Sequence, residues 1–294
     1  MRKSAKEMVQ HLSTLATLPD ICMRISEAAS DPNSSAFDMG KIIGQDPALT
    51  AQVLKVANSS FYSANAKIDT LTRAVVMLGL QQLRYLTFSV CSIDVVAKFK
   101  LPAKELEHFW KHSFYTGICA RLLASKLHIM NTERLFVMGL LHDIGKLVFQ
   151  HSAPEHYRRA ATGASRERMP QYRWEKGTFG FDHAELGAEL LTSWRLPSAL
   201  CDAVRFHHDP ERAGTARMEA ALVHLGDAVA WRLQGSTEST FAPEIHPSAW
   251  TITGLNERIF DAVGVLAEKQ YEEVSVLYKG IASEANLRRF GGAA

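Results

Sequence analysis

Seven residues of this 294-residue chain have the types and spacing to hold metal ions: His112, His142, Asp143, His183, His207, His208 and Asp227. Neutral imidazole and carboxylate are both good ligands for first-row divalent ions. His142 and Asp143 stand side by side in GLLHDIGK, flanked by Leu140, Leu141, Ile144 and Leu147. Burying such a pair among apolar side chains costs several kcal/mol unless something pairs with it. The bland alternative is a hydrogen-bonded buried pair, and one HD dipeptide is common by chance. The other five residues also have bland readings. His183 falls in the first turn behind Asp182, His207 and His208 fall at a helix C-terminus where histidine is favoured, and Asp227 in HLGDAVAW can be a surface carboxylate. All seven nevertheless lie between positions 112 and 227 near helix ends or on apolar-flanked helices. Five imidazoles and two carboxylates suffice for two ions bridged by an aspartate.

Helices must position these residues, and helix punctuation recurs along the chain. Ser35 with Asp38 resembles a capping box before FDMGKIIG, and Asp46-Pro47 caps and opens DPALTAQVLKVAN. In that segment Leu49, Val53, Val56 and Ala57 share one face, and Asn58 closes it. SSFYSANAKID reads as a loop. Asp69 caps TLTRAVVML, Gly79 ends it, and LQQLRYLTFSVCSIDVVAKF is the next helix. A long helix follows Pro102, and Asn131-Thr132 starts ERLFVMGLLHDIGKLVFQ as a single helix. Residues 154–180, with Gly163, Gly177 and Gly180 among polar residues, read as an irregular insertion. Asp182 caps HAELGAELLTSW, Pro197 opens SALCDAVRFHH, and a helix covers about 218–233. Residues 235–254 read as a loop and 255–279 as a final helix. No stretch alternates with period two, so the chain is expected to be all-α, with about a dozen helices and a division near residue 101.

The pattern H…HD…H…HH…D in an all-α chain resembles the HD superfamily of metal-dependent phosphohydrolases. The resemblance implies one ion on His112, His142, Asp143 and Asp227. It implies a second on His183, His207 and His208, with Asp143 bridging. HDIGK is similar to the HDxGK of the HD-GYP cyclic-di-GMP phosphodiesterases, and there Lys146 would contact phosphate. His207-His208 is followed by DPERAGTARM instead of Gly-Tyr-Pro, which weakens cyclic-di-GMP as the substrate. His108 occupies the place of a glutamate found in trinuclear members and shares a helix face with His112, as an additional candidate ligand.

The N-terminal half, from LATLPDICMRISEAASDPNSSAFDMGKIIGQDPALTAQVLKVANSSFYS to IDTLTRAVVMLGLQQLRYL, resembles the HDOD domain, a bacterial signalling relative of the HD fold. The resemblance implies a multi-helix HDOD/HD-like bundle: an HDOD N-terminal lobe over residues 1–101 and an HD-type metal-binding lobe over 102–294. One HDOD unit covers about 15–209, and C-terminal helices follow it.

Composition narrows the function. With 33 Lys+Arg against 31 Asp+Glu the net charge is +2, which gives nucleic-acid binding no footprint. Cys22, Cys91, Cys119 and Cys201 include no CxxC pair, so neither a disulfide framework nor a thiolate zinc site is expected. No apolar run suits a membrane span, and MRKSAKEMVQH lacks the apolar stretch of a signal peptide, so a cytoplasmic protein is expected.

Two functions fit. One is a metal-dependent phosphohydrolase acting on a nucleotide or other phosphoester through two Fe, Mn, Ni or Zn ions, with Asp143 and Lys146 as catalytic residues. The other is a non-catalytic signalling module that binds a protein partner or small ligand. Arg158, Arg159, Arg166, Arg168, Arg173 and Lys176 are either a solvated run or contacts for an anionic substrate. His11, His128, His151, His156, His224 and His246 are given no role. An open coordination position beside a pocket separates the enzyme from the module.

Overall fold

The structure, a computed structural model, describes residues 4–12, 16–62, 67–99, 101–235 and 244–290. It is all-α, with no strand among the described residues. Taking those residues alone, the chain divides into two compact units, Met1–Leu15 with Phe99–Lys269 and Ala16–Lys98 with Gln270–Ala294. One boundary between the units falls at 98/99. The first residues belong to the unit containing Phe99–Lys269, and those from 270 onward to the unit containing Ala16–Lys98.

The chain opens with α1 (Ala5–His11), α2 (Asp20–Ser30) and α3 (Ala36–Ile43). α4 (Pro47–Ala57), α5 (Leu71–Leu78) and α6 (Leu80–Val96) follow. Local chemistry explains their ends. Ser35 and Asp38 form the full capping box of α3, and the Asp46 carboxylate accepts from the backbone of Ala48 and Leu49 to start α4. Asn58 closes α4, and its amide also bonds both the N–H and the C=O of Ile68. Thr70, not Asp69, caps α5: its hydroxyl accepts from Arg73 N, the N3 position of a helix starting at Leu71. Within the expected loop Ser60–Tyr62 forms one 3-10 turn, and 63–66 lie outside the described residues.

A second correction concerns the cysteines. Cys22 of α2 and Cys91 of α6 form a disulfide, with Cα atoms 6.8 Å apart and a sequence separation of 69. Their spacing in the chain gave no sign of this, because α2 and α6 meet only through packing. Closing a loop of that length constrains the unfolded chain by about 4 kcal/mol in the chain-entropy account.

The other unit is built from α7 (Ala103–Lys126), α8 (Glu133–Leu141), α9 (Ile144–Ser152) and α10 (Pro154–Glu167). α11 (Gln171–Phe179), α12 (His183–Ser193), α13 (Ser198–Arg205), α14 (Arg217–Gln234) and α15 (Pro247–Thr253) continue it. α16 (Glu257–Phe290) crosses the boundary at 269/270. The expected irregular insertion at 154–180 is thus two helices. Its polar residues line their outer faces while Tyr157, Ala160, Ala164 and Glu175 are buried. The expected loop at 235–254 contains α15, which Pro247 opens and the His246 side chain caps; residues 236–243 lie outside the described set.

Glycines set the close crossings. A Cβ on Gly139 of α8 would come within 2.6 Å of Gly117 Cα, and one on Gly226 of α14 within 2.9 Å of Thr116 O. α7 is therefore held tightly between α8 and α14. At the crossing of α9 and α12 a Cβ on Gly145 would overlap His183 O. Among the described residues no single helix is long and apolar enough to cross a membrane; the sharply bent pair Leu71–Leu78 and Leu80–Phe99 meets the criterion only when taken together.

Candidate metal centre

The expected single helix through GLLHDIGK is interrupted at the HD pair: α8 ends at Leu141 and α9 begins at Ile144. The break leaves Gly139 O without a helical partner, and the His142 ring satisfies it with Nδ1–H at 2.7 Å. The end of α13 repeats the arrangement, with His207 Nδ1 2.7 Å from Val204 O. A carbonyl can only accept, so in each neutral ring Nδ1 carries the proton and Nε2 presents a lone pair. Asp143 holds the N-cap position of α9, yet its carboxylate makes no cap bond and turns into the site.

His183 is the first residue of α12, behind the Asp182–Glu185 capping box. Its backbone N–H, an orphan donor of that first turn, reaches Glu175 Oε2 at 2.8 Å, and the same oxygen lies 2.6 Å from His183 Nδ1. Gln171 donates to the other Glu175 oxygen at 2.9 Å. Sequence reading missed Glu175. The available signal was a glutamate eight residues before a candidate ligand, and the segment's apparent irregularity hid it. His112 comes from α7 and Asp227 from α14, with the Gln234 amide 3.1 Å from His112 Nδ1.

These elements bring all seven residues together. His112 Nε2 lies 2.9 Å from Asp227 Oδ1, and His142 Nε2 lies 3.8 Å from the same oxygen. Asp143 Oδ2 is 3.7 Å from His112 Nε2 and 3.5 Å from His142 Nε2, while Asp143 Oδ1 is 3.1 Å from His183 Nε2. His208 Nε2 is 2.9 Å from His183 Nε2. Among the described residues three groups have potential ligand atoms within 4.8 Å of one another: His112, His142 and Asp227; His183, His207 and His208; and His142, Asp143 and His207. Asp143 thus stands between two histidine-rich groups.

The decisive feature is what these atoms lack. His112 Nε2, His142 Nε2, Asp143 Oδ1, His207 Nε2 and Asp227 Oδ1 are buried without a hydrogen bond of acceptable geometry. Buried polar atoms that face one another without a hydrogen bond are costly and rare, so five of them converging is what a cation-binding site requires. Nitrogen-rich donors with carboxylates suit a first-row divalent ion. The residues therefore fit a metal.

Electrostatics agree. Burial works against ionisation of Asp143, but His142, Lys146 and His183 outweigh it and hold the carboxyl well below its usual range. Burial likewise opposes Asp227, and the His112 ring 2.9 Å away brings it down. Burial pushes His142 down, and His207 and His208 far down, which keeps those rings neutral. His183 is the exception: burial lowers it, but Glu175 overrides this and it is pushed up to about 9.

The remaining candidates differ in position. Lys146 Nζ lies 2.5 Å from Asp143 Oδ2. His108 is exposed and belongs to none of the three groups. Arg158 pairs with Glu155, and Lys176 pairs with Glu185 at 2.9 Å. His224 and His246, given no role from sequence, support the site's backbone: His224 Nδ1 is 2.8 Å from His207 O, and His224 Nε2 accepts from His246 N at 2.8 Å. A pocket of about 540 Å³ and another of about 340 Å³ both reach His208.

Fold and site together define an all-α protein whose clustered histidines and aspartates could hold metal. The sequence pattern of the HDOD domain family matches residues 15–210, and the chain belongs to that family. An uncharacterised protein of Treponema pallidum (strain Nichols) is 28% identical over 211 residues, which is 70% of this chain; the chain spans about 40% of that relative's length. The crystal structure of an HDOD domain protein of unknown function from Geobacter sulfurreducens superposes with TM-score 0.67 at 26% identity, covering 96% of this chain and 97% of that one. A candidate phosphohydrolase from Shewanella amazonensis SB2B shares the fold, with TM-score 0.70 at 23% identity over 93% of this chain and 97% of its own.

Proposed function

We propose that this HDOD protein is a signalling enzyme, a metal-dependent phosphohydrolase with a dinuclear centre that acts on a nucleotide or another phosphoester. The observation that carries the reading is the convergence of five buried ligand atoms without a hydrogen bond of acceptable geometry, from His112, His142, Asp143, His207 and Asp227. Two first-row ions, Fe, Mn, Ni or Zn, would supply Lewis acidity and an acidified water. His112, His142 and Asp227 would hold one position, His183, His207 and His208 the other, and Asp143 faces both. Glu175 orients His183 and keeps its Nδ1 protonated, so that Nε2 faces inward. Lys146 balances Asp143 and stands next to the position where charge on a phosphoryl group would develop. A purely structural metal site would need no access, whereas here His208 lines two pockets, which supports the enzyme reading.

The test is elemental analysis of the purified protein and of the double variant His142→Ala/Asp143→Ala, with Asp143→Asn as a milder companion. About two equivalents of a transition metal, lost in the variants, together with hydrolysis of bis-p-nitrophenyl phosphate or p-nitrophenyl phosphate, is the expected result. A protein without metal and without activity on either ester would overturn the reading and redirect the search to protein partners.

A further inference from the structure

The two pockets beside the cluster share Tyr172, Arg173, His208 and His246. Of the seven candidate ligands His208 lines both, and the other six line neither. A molecule entering through either pocket therefore meets the His183, His207 and His208 group first, at its one incompletely buried member. The pockets give the site a direction of entry.

The larger pocket is lined by four cations, and they are not equivalent. Lys176 is held by Glu185 at 2.9 Å, and Arg205 by Glu189 at 2.8 Å. Arg173 and Arg212 have no carboxylate partner among the described residues. Each lies over an aromatic ring instead. The Arg212 guanidinium is 5.3 Å from the Phe206 centroid and that of Arg173 is 5.8 Å from the Tyr172 centroid. Tyr172 is itself stacked on His208, with centroids 4.2 Å apart and planes 16° apart. Arg173 Nε also donates to the Tyr172 hydroxyl at 3.3 Å, so both guanidiniums rest beside aromatic side chains flanking His208 and keep their terminal in-plane donors for an anion.

The acids of the same pocket offset this less than their number suggests. Asp182 is engaged at the cap of α12, and Glu185 is engaged with Lys176 and Asp182 N. Asp209 is left as the acid without a side-chain partner among the described residues. The volume, about 540 Å³, lies in the range of small-molecule sites and exceeds what inorganic phosphate alone would fill.

We infer that this pocket binds a phosphate-bearing organic molecule, with its phosphate between Arg173 and Arg212 beside His208 and its apolar body along Phe206 and Tyr172. The inference rests on the proposed function for what happens to the phosphate afterwards, but the binding itself needs only these side chains.

The experiment titrates the full chain with phenyl phosphate, phenol and inorganic phosphate by isothermal calorimetry, with metal content measured on the same samples. The variants are Arg173→Gln, Arg212→Gln and, as a control outside both pockets, Arg158→Gln. Phenyl phosphate is expected to bind more tightly than phenol or phosphate. Arg173→Gln and Arg212→Gln should each weaken it about three- to tenfold, as expected for exposed charge-assisted contacts, with metal content unchanged. Arg158→Gln should match the wild type. No binding of phenyl phosphate, equal affinity in all variants, or equal affinity for inorganic phosphate would overturn the inference. Arginine-dependent binding to a preparation without metal would support the pocket and count only against the phosphohydrolase.

Discussion

Glu175→Gln removes one negative charge from the buried wall of the centre while leaving its hydrogen bonds available. An amide oxygen can still accept from His183 N and Nδ1, and Gln171 can rotate its own amide to face the new NH₂ group. In the wild type His183 is raised from 6.5 to about 9, which favours the charged ring by about 3 kcal/mol. Burial and Lys146 push that ring down and Asp143 still supports it, so in the variant His183 should titrate well below the wild-type value of about 9. Two consequences for metal affinity oppose each other. A proton must leave wild-type His183 before an ion can bind, so affinity should climb about tenfold per pH unit between pH 7 and 9 and then level. The carboxylate also strengthens the imidazole as a ligand, and losing it costs about 10- to 100-fold in affinity. The variant should therefore show a nearly flat profile over that window, close to the wild type at pH 7 and weaker by 10- to 100-fold above pH 9. Chelator competition across pH, with the His183 ring followed by NMR, reads both quantities. Parallel pH profiles for the two proteins, or an unchanged His183 titration, would refute the reasoning.

Acid should destabilise the protein. Burial lowers His142 and His207, so below about pH 6.5 the unfolded chain binds protons that the folded chain refuses. Stability then falls by about 1.4 kcal/mol per group for each pH unit down toward their lowered values. His183 has the opposite sign: its contribution is complete below 6.5 and is lost as pH rises through about 9. Urea midpoints from pH 5 to 9.5 should pass through a maximum, and a midpoint that rises steadily toward pH 5 contradicts this. Gly145→Ala should cost at least about 2 kcal/mol, because its Cβ would overlap His183 O and lie 2.7 Å from Gly187 N, backbone atoms that no rotamer change can move. Thermal melting should show a clear drop together with weaker metal uptake; an unchanged melt would mean that α9 and α12 can separate freely.

Features set within one helical turn could be read directly from the chain. The caps at Ser35, Asp46 and Asp182 and the closure at Asn58 depend on a side chain reaching backbone two to four residues away, so residue type and position suffice. The candidate ligands were visible because histidine and aspartate among apolar neighbours raise an unmet burial cost wherever they occur. The break at His142-Asp143 was less visible, since apolar residues continue through it from Leu135 to Phe149. Residues 154–180 looked irregular because their polar faces are wide, and Glu175 was lost with them.

Tertiary packing alone settled the rest. Which ligands group with which, that Glu175 backs His183, that His208 is the accessible one and that Cys22 meets Cys91 all join residues on different helices. The spacing of His112 and Asp227 along the chain contains no information about their 2.9 Å separation. That distance follows from α7 and α14 approaching closely where Gly226 has no side chain, a shape complementarity between surfaces that the amino-acid order encodes only once the helices are packed.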